Sequence, residues 1–373
     1  MNYLVISPFY PENFQPFTIE LAKKEGVTVL GIGQEPYDQL PDDLRNALTE
    51  YFRVENLENL DEVKRAAAFL IYKHGPIDRV ESHNEHWLES DAQLREQFNI
   101  FGAKPSQLKK TKFKSEMKKY FTKAGVPVAP GQIVKSEKDI AKAVKKIGFP
   151  MIAKPDNGVG ASGTFKLMKK ADLDGFKEAW DGKTAYFFEK FIDTNTLVTY
   201  DGLVDSKGNV VFETSLAYVH TPLELLLSKK DNAYFIEKEL DPKLVEYGRA
   251  VIKAFGMKER FFHIEFFKDG DDYVALEYNN RMAGGFTVEA YNYAHSIDLF
   301  RDYANVVTGQ EVEERRFPSQ YCLVATRRDA TDYVHSADEI KERYAANLKT
   351  TKRMPEAFAE LQGNDAYLLV TDR

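Results

Sequence analysis

The sequence predicts a chain of the α/β and α+β classes, built from an open parallel sheet, a small glycine-loop unit and a larger antiparallel sheet. Three observations carry this expectation. Over residues 1–105, short apolar runs alternate with helical patterns, as in a parallel sheet covered by helices on both faces. Two strand-like runs, FPMIAKP (149–155) and TFKLMKK (164–170), flank a glycine-rich loop. Between 196 and 281, apolar segments are punctuated by turn residues in the manner of antiparallel strands.

In chain order, YLVIS (3–7), VTVLGI (27–32) and IDRVES (77–82) read as buried strands, and 14–25, 58–74 and 86–98 carry helical spacing. No glycine-rich phosphate loop follows the first strand, where SPFYPENF stands instead. This unit is therefore not expected to hold a dinucleotide in the usual way. Its strand ends still line a crevice, and Glu85, just past the third strand, is a candidate polar contact. Residues 112–124 read as one helix, closed by Gly125 and the extended link VPVAP. A helix over 136–147 ends at Gly148, another lies near 171–180, and AYFFEKFI (185–192) is a strongly apolar strand. The stretch 196–219 reads as a meander with turns at Asp201-Gly202 and at Lys207-Gly208-Asn209. A helix over 241–255 precedes the hairpin HIEFFKDGDDYVALEYNNR (263–281), and a further helix follows Gly284-Gly285. The tail 318–373 has α+β character, with strands at 320–326 and 366–371.

At 373 residues, the chain can build two or three units around sizeable cores. Its 43% hydrophobic and 29% charged residues belong to an ordered globular protein rather than a disordered one. A net charge of −7 argues against general nucleic-acid binding, while leaving room for a local basic site. The single cysteine, Cys322 in SQYCLVATR, cannot form a disulfide framework and reads as a small buried hydrophobe. No apolar run reaches membrane-spanning length, and the start lacks the pattern of a signal peptide, so a cytoplasmic home is expected.

The chemistry concentrates in the 263–281 hairpin. Folding it symmetrically about Gly270-Asp271 places Glu265 opposite Glu277 and His263 opposite Asn279. Facing carboxylates repel unless a hard cation lies between them. Two carboxylates with an amide oxygen suit Mg²⁺ or Mn²⁺ holding a polyphosphate. The alternative is an acidic hairpin on a solvated edge, and a one-residue slip in register would send the pair to opposite faces. The loop DNGVGASGT carries Gly158, Gly160 and Gly163. It opens no helix, and Thr164-Phe165 stands where a Walker loop needs Lys-Ser/Thr. What remains is either a plain surface hairpin or a mobile flap whose N–H groups close over phosphates. Lys154, on the strand before the loop, and Lys114, on the preceding helix, are the charges such phosphates would need.

Taken together, the Lys114 helix, AGVPVAPG, FPMIAKP, the glycine hairpin, YFFEKFI, HIEFF and ALEYNNR resemble the ATP-grasp superfamily, especially its carboxylate–amine ligases. The resemblance runs from the first unit to about residue 310. It implies an ATP-grasp fold with a Rossmann-like open parallel sheet in 1–108, a glycine-loop lid in 109–184, a central subdomain with the metal site in 185–317, and an α+β segment in 318–373. It also implies ATP and Mg²⁺ as cofactors. Lys114 and Lys154 would touch the α- and β-phosphates, beneath a lid of Gly158, Gly160, Ser162 and Gly163. Glu189 would bond the adenine amino group through its side chain or backbone. Lys190 and Ile192 would add main-chain contacts, with Phe191 and Leu276 completing the nucleotide site. Glu265, Glu277 and Asn279 would coordinate two Mg²⁺ ions, and Arg281 would be the catalytic residue steadying the transferring phosphoryl group. One departure stands out: Leu197 occupies the place where many relatives carry an acid for the ribose hydroxyls.

For the substrates, the resemblance implies a small carboxylate, activated as an acyl phosphate, and an amine that captures it. Glu85, His220, Gly284 and Gly285 are the candidate contacts, the glycine pair because it opens a helix whose free N–H groups can receive an anion. Two other readings stay open. One is phosphorylation of bicarbonate or a carboxylate on a carbamoyl or carboxylation route; the other is a non-catalytic ATP-binding regulator. The tail is expected either to cover the site or to make a homodimer contact.

Overall fold

The computed structural model describes residues 1–158, 163–194, 196–313 and 319–372. Gly160 and Ser162, two of the expected lid residues, lie outside that set. The first unit holds a parallel sheet of β1 (Asn2–Ile6), β2 (Thr28–Gly33), β3 (Glu50–Arg53) and β4 (Arg79–Glu81), in the order β3-β2-β1-β4. The helices α1 (Gln15–Ala22), α2 (Asp42–Ala47), α3 (Leu60–His74) and α4 (Leu88–Gln97) alternate with the strands. Burial of Leu4, Ile6, Leu30 and Ile32 beneath Val63, Ala67 and Leu70 follows from the apolar runs and from the 3.6-residue spacing of α3. Edge strand β3 carries no such run, since EYFR is polar at both ends, and it was not legible from the sequence.

Residues 112–124, expected as one helix, are instead the ends of two: α5 (Pro105–Lys112) and α6 (Lys114–Lys123). Phe113 between them is extended, at φ −92° and ψ 118°. Neither glycine nor proline announces the break; a distant carboxylate explains it. Asp156 takes the Ser115 N–H on Oδ1 at 2.7 Å and the Ser115 hydroxyl on Oδ2 at 2.8 Å, while its own carbonyl receives the Lys114 N–H at 2.9 Å. The exposed N–H groups of a helix start favour such an anion. The consequence is that Lys114 begins a helix and points inward, with a side chain only 2% exposed.

A second sheet follows, formed by β5 (Gly131–Val134), β6 (Met151–Pro155), β7 (Phe165–Leu167) and β8 (Tyr186–Lys190), antiparallel and ordered β5-β8-β6-β7. The helices α7 (Glu137–Ile147) and α8 (Asp172–Ala179) pack Ile140, Ala143 and Phe176 against its Met151 and Phe188. Thus the glycine loop does join two strands of one sheet, as the periodicity predicts.

The third sheet is the largest. Its strands are β9 (Leu197–Val204), β10 (Val210–Thr214), β11 (Leu216–Tyr218), β12 (Ala233–Ile236), β13 (Arg260–Asp269), β14 (Asp272–Asn279), β15 (Tyr321–Arg327), β16 (Leu348–Arg353) and β17 (Asp365–Thr371). They run β14-β13-β9-β11-β12-β15-β17-β16, with β10 paired to β9. The tail strands therefore extend the same sheet through the pairing of β12 with β15. Its helices are α9 (Pro222–Ser228), α10 (Pro242–Phe255), α11 (Thr287–His295), α12 (Leu299–Val307), α13 (Ala337–Arg343) and α14 (Glu356–Gln362).

Two details of this sheet position the site. The first corrects an expectation: Asp201-Gly202 is no turn, because β9 runs straight through it and pairs with β13 along its whole length. Glycine is needed there for close approach, since a Cβ on Gly202 would lie 2.1 Å from the Phe212 carbonyl oxygen and 2.6 Å from the Phe262 ring. Gly202→Ala should therefore lower stability by about 1–3 kcal/mol, the cost of overpacking, and thermal unfolding measures it. The second is the register of β13 with β14. Asp269 pairs with Asp272, and continued regularly this would set Glu265 against Leu276. A register shift between Glu265 and Phe266 gives β14 one extra residue and puts Glu265 opposite Glu277 and His263 opposite Asn279. The predicted pairing is thus observed, by way of a bulge that the symmetric folding did not contain.

The first and third sheets are joined by buried charge. Glu81 accepts from Arg260 at 2.8 Å and from Arg95 at 3.2 Å, and Arg260 also donates to the Asn280 carbonyl at 3.0 Å.

Candidate active site

Where the three sheets meet, they enclose a cleft of about 780 Å³. The first unit contributes Glu85, the second Lys154, Glu189, Lys190, Phe191 and Ile192, and the third Glu265, Leu276, Glu277, Asn279, Arg281 and Gly284. Twelve sequence-predicted site residues, distant along the chain, thus share one space.

At one end lies a triad of charges. Glu189 is buried on β8 and faces two ammonium groups, Lys154 at 2.5 Å and Lys118 at 3.0 Å. Burial works against the Glu189 carboxylate, but Lys118 and Lys154 outweigh it and hold the group near 2. Burial likewise lowers Lys118, whereas Lys154 ends above its usual value because Glu189 and Glu277 both act on it. The Glu189 side chain is therefore committed to lysines, and its backbone lies within the sheet, between Gly131 on β5 and Ile152 on β6. The Lys190 N–H is committed as well, to the Pro130 carbonyl at 2.9 Å, and the Phe191 N–H donates to Pro150 at 3.1 Å. Lys118 was not foreseen. It sits one helical turn after Lys114, and only tertiary packing distinguishes it from the surface lysine beside it.

Lys114 does not line the cleft but reaches its wall, donating to Glu277 at 3.1 Å and to the Gly158 carbonyl at 2.8 Å. It thereby links the start of the glycine loop to the acidic hairpin. Gly158 and Gly163 flank the loop rather than face the cleft, and Gly163 takes φ +69°, which favours glycine. Leu276, the bulged residue, lines the cleft between Ala275 and Glu277. Leu197 also lines it, and its side chain offers a ribose no polar group.

The facing pair Glu265 and Glu277 have side chains 14% and 16% exposed, open to the cleft. Asn279 lies two residues along the same strand. Behind Glu265, the His263 ring is held on both nitrogens, by Asp201 at 2.7 Å and Glu265 at 3.3 Å. Burial opposes charge on His263, but Asp201 and then Glu265 raise it to about 9. Asp201 itself is buried and also accepts from Tyr291 at 2.6 Å and from Thr199. Reading Asp201 as a turn residue hid this role. Two carboxylates and an amide oxygen fit a divalent cation whose remaining ligands come from phosphates. Among the described residues, no group of three or more His, Cys, Asp or Glu side chains forms a self-sufficient metal cluster.

Beyond the hairpin, Arg281 and Glu85 pair with each other, Nε at 2.7 Å and Nη2 at 2.5 Å from the same oxygen. Glu85 was expected as a substrate contact and Arg281 at the transferring phosphoryl group. Burial opposes the charge on both, but their attraction raises Arg281 and lowers Glu85. Gly284 lines the cleft, whereas Gly285 turns away, its carbonyl receiving Asn13 at 2.7 Å. His220 is not part of the cleft wall; Tyr218 and Thr221 on either side of it are. The short β11 ends at Tyr218, and Thr221 caps α9, which leaves His220 in the corner between them. No described helix is long and apolar enough to cross a membrane.

Comparison with known proteins adds four findings. The model for the family described as "carbamoyl-phosphate synthase L chain, ATP binding domain" matches residues 110–315, more than half of the 373. An L-arginine-specific L-amino acid ligase of Bacillus subtilis is 22% identical over 325 residues, covering 81% of this chain and 76% of its own length. Among solved structures, an L-amino acid ligase from Bacillus licheniformis superposes with a TM-score of 0.75 at 16% identity, over 100% of this chain and 93% of that one. The biotin carboxylase domain of a Hydrogenobacter thermophilus 2-oxoglutarate carboxylase, captured with MgADP and bicarbonate, gives 0.69 at 16% identity, over 100% and 86%. At such identities the structural likeness shows the fold alone.

Proposed function

The chain belongs to the ATP-grasp superfamily, in the family of the carbamoyl-phosphate synthase L chain ATP-binding domain, and on that premise we propose that it joins a small carboxylate to an amine at the expense of ATP. The observation that carries this reading is the facing pair Glu265 and Glu277, set between buried lysines on one side and the Arg281–Glu85 pair on the other. The nucleotide's phosphates would lie towards Lys118 and Lys154, with Lys114 behind the wall on Glu277, and its adenine near Phe191, Ile192 and Leu276. Glu265, Glu277 and Asn279 would hold Mg²⁺, which when bound neutralises phosphate charge.

The reaction then needs no protein nucleophile. A carboxylate oxygen attacks the γ-phosphorus and ADP leaves, giving an acyl phosphate. The amine nitrogen attacks the acyl carbon, phosphate leaves, and the nitrogen loses a proton. Arg281 carries the planar fork that suits the transferring group and the incoming carboxylate. Exclusion of water by the 156–163 loop protects the acyl phosphate from hydrolysis. The units proposed for this work are 1–108, 109–184 as lid, 185–317 with the metal site, and 318–373, whose strands extend the central sheet.

The test is phosphate release from ATP and Mg²⁺ across a panel of amino-acid pairs, with product masses and a separate bicarbonate arm. Amide products with stoichiometric phosphate are expected, and EDTA should stop release. Turnover with bicarbonate alone would overturn the proposal in favour of a carboxylation route.

A further inference from the structure

We propose that the carboxylate substrate is an α-amino acid with a large, uncharged apolar side chain, lodged at the end of the cleft that the tail helix α14 closes. This rests on the ligase reading above and adds to it the chemistry of the substrate pocket.

The first support is how α14 is seated. The Ala357 N–H donates to the Tyr10 hydroxyl at 2.7 Å, and the Phe358 ring meets that of Phe14 edge-on at 6.4 Å. Phe358 also lies against the glycine pair, 3.1 Å from where a Cβ on Gly284 would stand. The helix therefore bridges the loop after β1 to the turn after Arg281, and forms a wall of the cleft.

The second support is what this wall offers. Tyr10, Phe14, Tyr218, Met282, Phe358 and Leu361 all line the cleft. Phe14 and Met282 are buried members of one hydrophobic cluster, and Tyr218 and Phe358 pack against it. Glu224, the acid on this side, has its carboxylate turned to the start of its own helix, where it receives the Thr221 N–H at 2.9 Å. A charged substrate side chain would lose its water here without gaining an opposite charge, whereas an apolar one completes the cluster.

The third support is the polar rim. Arg281 and Glu85 present a cation and an anion side by side, complementary to the α-carboxylate and α-ammonium of a zwitterion. Arg281 is anchored to this wall, donating to the Met282 carbonyl at 2.7 Å. Gln362, which also lines the cleft, has a buried Oε1 without a hydrogen-bond partner and can accept from the ammonium.

The experiment is calorimetric binding of single amino acids to the full chain, with Mg²⁺ and a non-hydrolysable ATP analogue present. L-Phenylalanine, L-leucine and L-methionine should bind at least tenfold more tightly than glycine, L-aspartate or L-lysine. Phe358→Ala should erase most of the preference for phenylalanine over glycine, and Phe358→Leu should keep it. Leu361→Asp, on the same wall, should weaken phenylalanine binding while leaving binding of the ATP analogue unchanged. Equal or tighter binding of aspartate or lysine, or an unchanged ratio in Phe358→Ala, would overturn the pocket. A parallel assay with hydroxylamine, which intercepts acyl phosphates as hydroxamates, tests the ligase reading separately. Apolar preference in binding without any hydroxamate would keep the pocket and overturn the ligase.

Discussion

Glu277→Gln is expected to abolish turnover, lowering kcat by roughly 10³-fold or more, while leaving the protein folded with little change in the unfolding midpoint. The two halves of this prediction have one cause. Glu277 faces Glu265 across β13 and β14, and two carboxylates so placed repel in the absence of a cation. Glutamine keeps the size, and an oxygen for the Lys114 ammonium, which now lies 3.1 Å from Glu277. It removes the charge, which relieves the repulsion from Glu265 but also weakens the buried ion pair with Lys114; the two effects oppose each other. Activity falls because a neutral amide is a much poorer ligand for Mg²⁺ than a carboxylate, and phosphoryl transfer depends on positioned positive charge. Phosphate release, thermal unfolding with and without MgATP, and the smaller MgATP-induced stabilisation in the variant measure the three parts. Retained turnover would remove the metal assignment and with it the proposed chemistry.

The acidic hairpin was legible in the sequence because its information is local: Gly270-Asp271 marks the turn, and side-chain alternation does the rest. Even so, the true register depends on the bulge at Leu276, and without it the facing pair would have been broken. The glycine loop between β6 and β7 was legible for the same reason, as was the parallel sheet of the first unit. What the sequence concealed are the consequences of contacts far apart in the chain. Asp156 breaks the helix at Phe113 from 43 positions away, and nothing near Phe113 announces it. Asp201-Gly202 carries the composition of a turn, yet Phe212 and Phe262 press on the glycine while His263 claims the aspartate. Lys118 looks like the surface lysine next to it until Glu189 and the Ala275 carbonyl enclose it. Arg281 and Glu85, 196 residues apart, both line the cleft, and their mutual pairing exists only in three dimensions.

Glu81→Gln is expected to destabilise the protein by about 3–5 kcal/mol, because it leaves buried positive charge uncompensated. Glu81 is 5% exposed and sits between Arg95 and Arg260, themselves 2% and 8% exposed, where β4 of the first sheet meets β13 of the third. Burial disfavours the Glu81 carboxylate, yet Arg260 and Arg95 more than offset this and hold it at about 2. The sign of its pH dependence follows from that depression. Its contribution is complete above the ordinary glutamate value near 4.3, and it is lost as pH falls from there through 2. Neighbouring Asp91 runs the other way. Burial, with Glu81 nearby, raises it to about 7, so its contribution is present in acid and fades as pH rises through 7. Urea unfolding between pH 2 and 6 should therefore show wild type losing stability below about pH 4.3, while Glu81→Gln shows a shallower acid loss. Adding Arg260→Met to Glu81→Gln should cost less than the sum of the single changes, since one stranded charge then disappears. Additive costs, or an unchanged acid slope in Glu81→Gln, would mean that these charges do not hold the two sheets together. The cluster matters for function because Asn280, whose carbonyl Arg260 holds at 3.0 Å, stands between Asn279 and Arg281. Loosening it should therefore shift both the facing Glu265–Glu277 pair and the Arg281–Glu85 contact, and lower activity before the fold is lost.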